Sequence, residues 1–185
     1  MKLFLYVCLG ILALVLLFIL KMILKRAVLL AKIKKAAKKS GSKVILQRNR
    51  FKSVFFHDLR TDFLLEKNGE SFEVSILTTP FKRFRYHFTS PERLKIVMLK
   101  KGVFLTNPRT LNSAVAIEGA FNFWRYKIAI SPSETPPERR ILLIHPSPRD
   151  LLVTTGTKIE TPSNGEILYG AFMICFGKYF RENIL

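Results

Sequence analysis

The sequence predicts an α+β protein, with one long N-terminal helix followed by a domain dominated by strands. Three observations predict this class. Residues 3–20, LFLYVCLGILALVLLFIL, carry no charge over a helix-sized length. The segment that follows, KRAVLLAKIKKAAKKSG, is rich in helix formers and ends at Ser40-Gly41, a natural helix stop. From Lys43 onward, short apolar runs alternate with clusters of Gly, Pro, Asn and Ser. An aromatic content of 12% argues that this second part packs a core and is not disordered.

The first element is read as a membrane span. An apolar helix of 18 residues rises about 27 Å, close to the roughly 30 Å of a bilayer's hydrocarbon. Lys21 can extend its stem and lift its amine to the headgroups, so the span reaches Leu24. A cleavable signal peptide would have a shorter apolar part and small residues at a cut site. A buried core helix is the third reading of the same run. The flanks set the orientation. Only the α-amino group and Lys2 lie on one side, whereas Lys21, Lys25, Arg26, Lys32, Lys34, Lys35, Lys38, Lys39 and Lys43 follow on the other. Positive flanks stay in the cytoplasm. The expected organisation is therefore residues 1–2 outside, 3–24 transmembrane, 25–41 a basic juxtamembrane helix, and 42–185 a cytoplasmic β-rich α+β domain.

Charge reinforces this asymmetry. The chain carries +18, and residues 1–52 hold 13 of the 31 Lys and Arg but none of the 13 Asp and Glu. A partner with a negative surface should meet this quarter. Lys21, Lys25, Arg26, Lys32, Lys34, Lys35, Lys38 and Lys39 are the expected contacts to anionic headgroups, at about 1 kcal/mol each close to the surface. Cys8 and Cys175, one in the apolar run and one near the far end, form no disulfide framework.

The domain's elements follow in order. KVILQ (43–47) and VFFH (54–57) are short strand candidates. Asn68-Gly69 between two alternating runs is a strong hairpin signal. FKRFRYHF (81–88) alternates aromatic and basic residues. SPERLKIVMLKKG (90–102) mixes helix-boundary signals with the run KIVML, which is read as a strand paired with 81–89. Ala114 to Tyr126 carries no decisive signal. Ile141 to Ile144, LLVTT (151–155) and ILYGAFMICF (167–176) complete the strands, and SPSETPPERR (131–140) and TPSNGE (161–166) are loops.

The hairpin bears the one constellation of chemical interest. With Asn68-Gly69 as a two-residue turn, Phe63, Leu65, Phe72, Val74 and Ile76 share an apolar face. Asp62, Leu64, Glu66, Ser71, Glu73 and Ser75 share the other. Asp62 and Glu73 are then diagonal neighbours about 7–8 Å apart along the backbone. A helix at 26–39, an Asp at 62 and the tripeptide Glu73-Val74-Ser75 on the next strand resemble the PD-(D/E)XK, or restriction-endonuclease-like, family. That resemblance implies a divalent metal such as Mg²⁺ held by Asp62 and Glu73, and nucleic-acid processing. It covers residues 26–77, with the strand at 141–144 as a further member. Ser75 stands where the family has a Lys that positions the attacking water, so the resemblance implies a degenerate site.

Other chemistry is sparse. His57, His87 and His145 show no ligand spacing, and the chain has no Gly-rich phosphate loop, nucleophile elbow or H-E-x-x-H. In FKRFRYHF, alternation puts Phe84, Tyr86 and Phe88 on one face and Arg83, Arg85 and His87 on the other. The second face is a candidate contact for anions or nucleic acid. These features favour a non-enzymatic, membrane-anchored adaptor beside the anionic inner leaflet, with an unidentified protein partner and no cofactor. The alternative is a membrane-tethered, restriction-endonuclease-like protein using Mg²⁺.

Overall fold

The computed structural model describes residues 2–47, 58–59, 61–78, 85–91, 93–99, 120–127, 129–130, 133–147, 150–156, 158–161 and 165–185. The chain opens with α1 (Lys2–Ser40), one uninterrupted helix. Gly41, at φ 72°, ends it in the left-handed conformation that a side chain would strain.

Thirteen strands follow among the described residues: β1 (Lys43–Leu46), β2 (Asp58–Leu59), β3 (Phe63–Lys67), β4 (Glu70–Thr78), β5 (Arg85–Ser90), β6 (Arg93–Leu99), β7 (Ala120–Lys127), β8 (Ala129–Ile130), β9 (Arg140–His145), β10 (Asp150–Thr155), β11 (Lys158–Glu160), β12 (Glu166–Tyr169) and β13 (Phe172–Phe176). A helical turn, Gly177–Tyr179, runs into a wider one, Phe180–Ile184, at the C-terminus. The strands form a six-stranded sheet in the order β1-β3-β4-β9-β13-β12 and a five-stranded sheet in the order β11-β10-β5-β6-β7. A short pair, β2 and β8, stands apart. In the larger sheet β1, β3 and β4 make an antiparallel meander, while β4, β9 and β13 are mutually parallel.

The larger sheet is covered on both faces. Leu29, Leu30, Ile33 and Ala37 of α1 pack with Phe63, Leu65, Val74, Ile76, Ile141, Leu143, Cys175 and Phe180 on one side. Leu77, Leu142, Ile144, Phe172 and Ile174 pack on the other side with Tyr86, Phe88, Leu94, Leu151 and Val153 of the smaller sheet. In β9 the residues Ile141 to Ile144 alternate between the two cores, which explains a strand without a polar face. The Tyr169 hydroxyl on β12 donates to the Thr154 carbonyl on β10 at 2.7 Å and ties the two sheets together.

Several expectations meet these elements directly. β3 and β4 pair with Phe63 opposite Val74 and Lys67 opposite Glu70, across Asn68 (φ 52°) and Gly69 (φ 79°). Residues 93–99, within the segment of mixed signals, form β6 beside β5, with Tyr86 opposite Ile96. ILYGAFMICF, read as a single strand, is instead the hairpin β12–β13. Gly170, at φ 61°, reverses the chain there, and a Cβ on it would come within 2.7 Å of Pro91 Cγ. The strand candidate at 54–57 lies outside the described residues.

The segment 25–41 is more than a stalk. Its buried residues Arg26, Leu29, Leu30, Ile33 and Ala37 continue from Met22 at helical spacing and face the sheet, so the domain's packing begins inside α1.

Candidate functional site: the junction of the N-terminal helix and the sheet

Within α1 the exposure changes abruptly. Phe4, Leu5, Tyr6, Leu9, Ile11, Leu12, Leu14, Leu16, Leu17 and Leu20 are all exposed, and only 6% of the helix's most apolar 18-residue window is buried. By length and composition this helix can cross a membrane. Burial starts at Met22 and continues to Ala37. The junction therefore lies at Lys21–Arg26, where the cations also begin.

Arg26 is the pin of this junction. Its side chain is 4% exposed and forms an ion pair with the Asp62 carboxylate, itself 7% exposed. The Arg26 Nη1 donates to the Ile76 carbonyl at 3.1 Å, and the Ile76 N–H donates back to Asp62 Oδ2 at 2.6 Å. Helix, carboxylate and strand thus close a ring of charge-assisted bonds. Asp62 is further held through its backbone, donating to the Val74 carbonyl at 2.8 Å and accepting from the Gln47 N–H at 3.0 Å.

This geometry corrects two expectations. Arg26 was expected at the headgroups, but burial against Asp62 removes it from that set. Asp62 was expected on the outward face beside Glu73. It lies at a bend just before β3, where strand alternation no longer governs direction, and its carboxylate turns to α1.

Glu73 has its own surroundings. The hydroxyls of Ser133 and Thr135 donate to Oε1 at 2.7 and 2.8 Å. Thr61 reaches Oε2 at 3.5 Å, and Arg140 Nε lies 3.6 Å from it. Asp62 and Glu73 share none of these partners. No cluster of three or more His, Cys, Asp or Glu suited to a metal occurs among the described residues.

Lys21, Lys32, Lys34, Lys35, Lys38 and Lys39 are exposed and Lys25 is half-buried, all off the buried stripe of α1. His87 departs from the expected basic face, because it is buried and its Nε2 lies 2.7 Å from the Thr154 hydroxyl on β10. Tyr86 and Phe88 pack in the core between the two sheets, and His87 between them is buried as well. Arg83 and the side chain of Arg85 lie outside the described residues.

Two concavities are lined by described residues. One, of about 470 Å³, runs along Leu17, Leu20, Lys21, Leu24, Lys25 and Val28 of α1 and is closed by His145. The other, of about 640 Å³, is lined by Ser147, Gly165, Glu166, Phe176, Lys178, Tyr179, Glu182 and Asn183. Beside it, burial and then the Glu166 charge push the Cys175 thiol up, leaving it an unreactive core group. A hydrogen bond to Glu166, and then burial, push the Tyr179 hydroxyl up to about 12.

Sequence reasoning overlooked His145 and the Arg26–Asp62 pair. The spacing of Leu29, Leu30, Ile33 and Ala37 carried the signal that this part of α1 packs on something. No local signal joins Arg26 to Asp62 or brings His145 to α1.

No family model matches the chain, and neither does any curated protein or solved structure.

Proposed function

We propose that this chain is a single-pass membrane protein whose N-terminal helix spans the bilayer and presents a cytoplasmic, non-enzymatic interaction domain beside the anionic inner leaflet. One observation carries the reading: α1 is exposed and apolar up to Leu20, then packed against the sheet from Met22. A soluble core helix would bury its most apolar window, and here that window is the exposed one. A cleavable leader would be separable from the domain, whereas this run continues unbroken into a helix that holds Asp62 and the core. Each Leu, Ile, Phe or Val in the run favours insertion by roughly 0.3–0.6 kcal/mol. The lysines from Lys21 onward support the cytoplasmic orientation.

The restriction-endonuclease-like alternative draws on a different observation. α1 covers a meander of β1, β3 and β4, and β9 follows beside β4. Weighing against it, Asp62 already spends both oxygens on Arg26 and Ile76.

The test is alkaline carbonate extraction of membranes carrying the full chain, with a C-terminal reporter active only outside the cell. The expected result is retention in the pellet and a silent reporter. Release into the supernatant overturns the anchor, and a bright reporter overturns the orientation. Incubating the same purified chain with mixed DNA and RNA and Mg²⁺ or Mn²⁺ tests the alternative. Cleavage abolished by Asp62→Ala would replace the adaptor reading.

A further inference from the structure

The parallel strands of the larger sheet share a direction that matters for the bilayer. Arg26 bonds to Ile76, two residues before the end of β4. His145, the last residue of β9, closes the groove along Leu17–Val28. A Cβ on Gly177, just after β13, would lie 3.4 Å from Leu29 Cδ1 and 3.8 Å from His145 Nδ1. The C-terminal ends of β4, β9 and β13 therefore gather beside the turns of α1 that emerge from the apolar run. In the membrane reading, this end of the sheet faces the headgroups.

The groove lies at that level. Its floor is almost wholly apolar, from Leu17, Leu20, Leu24 and Val28, which recur on one helix face. Lys21 and Lys25, one turn apart, border it, and His145 closes its domain side. An apolar trough that runs from the span and meets cations at headgroup depth matches one kind of molecule, an amphiphile with acyl chains and a negative head.

We infer that this groove holds an anionic phospholipid of the adjacent leaflet, its acyl chains along Leu17, Leu20 and Leu24 and its phosphate at Lys21 and Lys25. The inference rests on the proposed membrane span and adds a specific lipid contact to it. Lysines one turn apart at the surface give on the order of tenfold preference for anionic over zwitterionic lipid. The remaining exposed lysines, Lys34 and Lys35 among them, lie farther along α1 and outside the groove.

The test uses the full chain in mild detergent, equilibrated with equal phosphatidylglycerol and phosphatidylcholine, and counts retained lipids by native mass spectrometry. The expected result is one retained phosphatidylglycerol, preferred about tenfold. Lys21→Gln with Lys25→Gln should abolish the preference, while Lys34→Gln with Lys35→Gln should keep it. Leu24→Trp, which fills the trough without changing charge, should lower retention of both lipids. Equal loss in the two lysine pairs, or unchanged retention in Leu24→Trp, overturns the inference. Carbonate extraction separates the two levels of failure. A chain that stays in the membrane pellet but shows no lipid preference defeats the groove alone, and a soluble chain defeats the span as well.

Discussion

The two halves of α1 are one helix by backbone and two by surroundings. Up to Leu20 its apolar side chains point in every direction and are largely exposed. From Met22 a buried stripe packs against the sheet, while lysines, with Leu24 and Val28, occupy the exposed side. An all-round apolar helix suits a medium that is itself apolar, whereas a striped helix suits a boundary between core and water. The changeover falls within a single turn, and Arg26 is buried just past it. The lesson is that helix length in this chain does not mark a domain boundary; the change in periodicity does.

The largest expected effect breaks the junction itself. Arg26→Leu would strand the Asp62 carboxylate in the interior and should cost about 3–5 kcal/mol, read as a lower unfolding midpoint of the full chain in mild detergent. The double variant Arg26→Leu with Asp62→Leu should lose less than the two single losses summed, since neither charge is then left unpaired. An additive result would show that the ring contributes nothing as a unit.

Truncating the two halves sharpens the comparison. Leu29→Ala or Ile33→Ala, both fully buried, should destabilise the domain by about 2–5 kcal/mol. Leu12→Ala should leave the same midpoint within about 0.5 kcal/mol. Equal sensitivity of the two positions would erase the distinction. Leu12→Arg asks the converse question. It should impede insertion by about 2.5–3.5 kcal/mol, measured as the inserted fraction, without shifting the domain's unfolding.

The smallest effect belongs to the helical turn after β13. The Tyr179 hydroxyl is raised to about 12 by Glu166. Its contribution is fully present below the ordinary tyrosine value near 10 and is lost as pH rises through the raised one. Glu166→Gln should lower the Tyr179 titration midpoint toward 10, followed by NMR of labelled tyrosine. An unmoved midpoint would remove Glu166 as the cause.

What could be read from the residues alone follows the reach of each interaction. Asn68 and Gly69 carry their own turn chemistry, because few residues tolerate positive φ at both positions. Ile141 to Ile144 read as a strand because apolar residues on both faces need two covering layers. ILYGAFMICF misled because a glycine inside an apolar run can extend or reverse a strand, and Pro91 from a distant hairpin packs where the reversal occurs. The parallel joins β4–β9 and β9–β13 rest on pairing across long stretches of chain, which no local pattern announces. Asp62 shows the same limit at the candidate site. Alternation from β3 extrapolated it outward, and a charge far back on α1 drew it in.

The unbroken course of α1 fixes a height. From Arg26 to Ser40 the helix climbs about 21 Å, and β4 covers a similar distance from Ile76 back to Glu70, about 20 Å. With no hinge in the mast, the proposed membrane span would carry the Asn68-Gly69 tip at a set stand-off from the lipid surface. In that setting a partner at the tip would have to reach that altitude, and any tilt of the rod would swing the whole sheet with it.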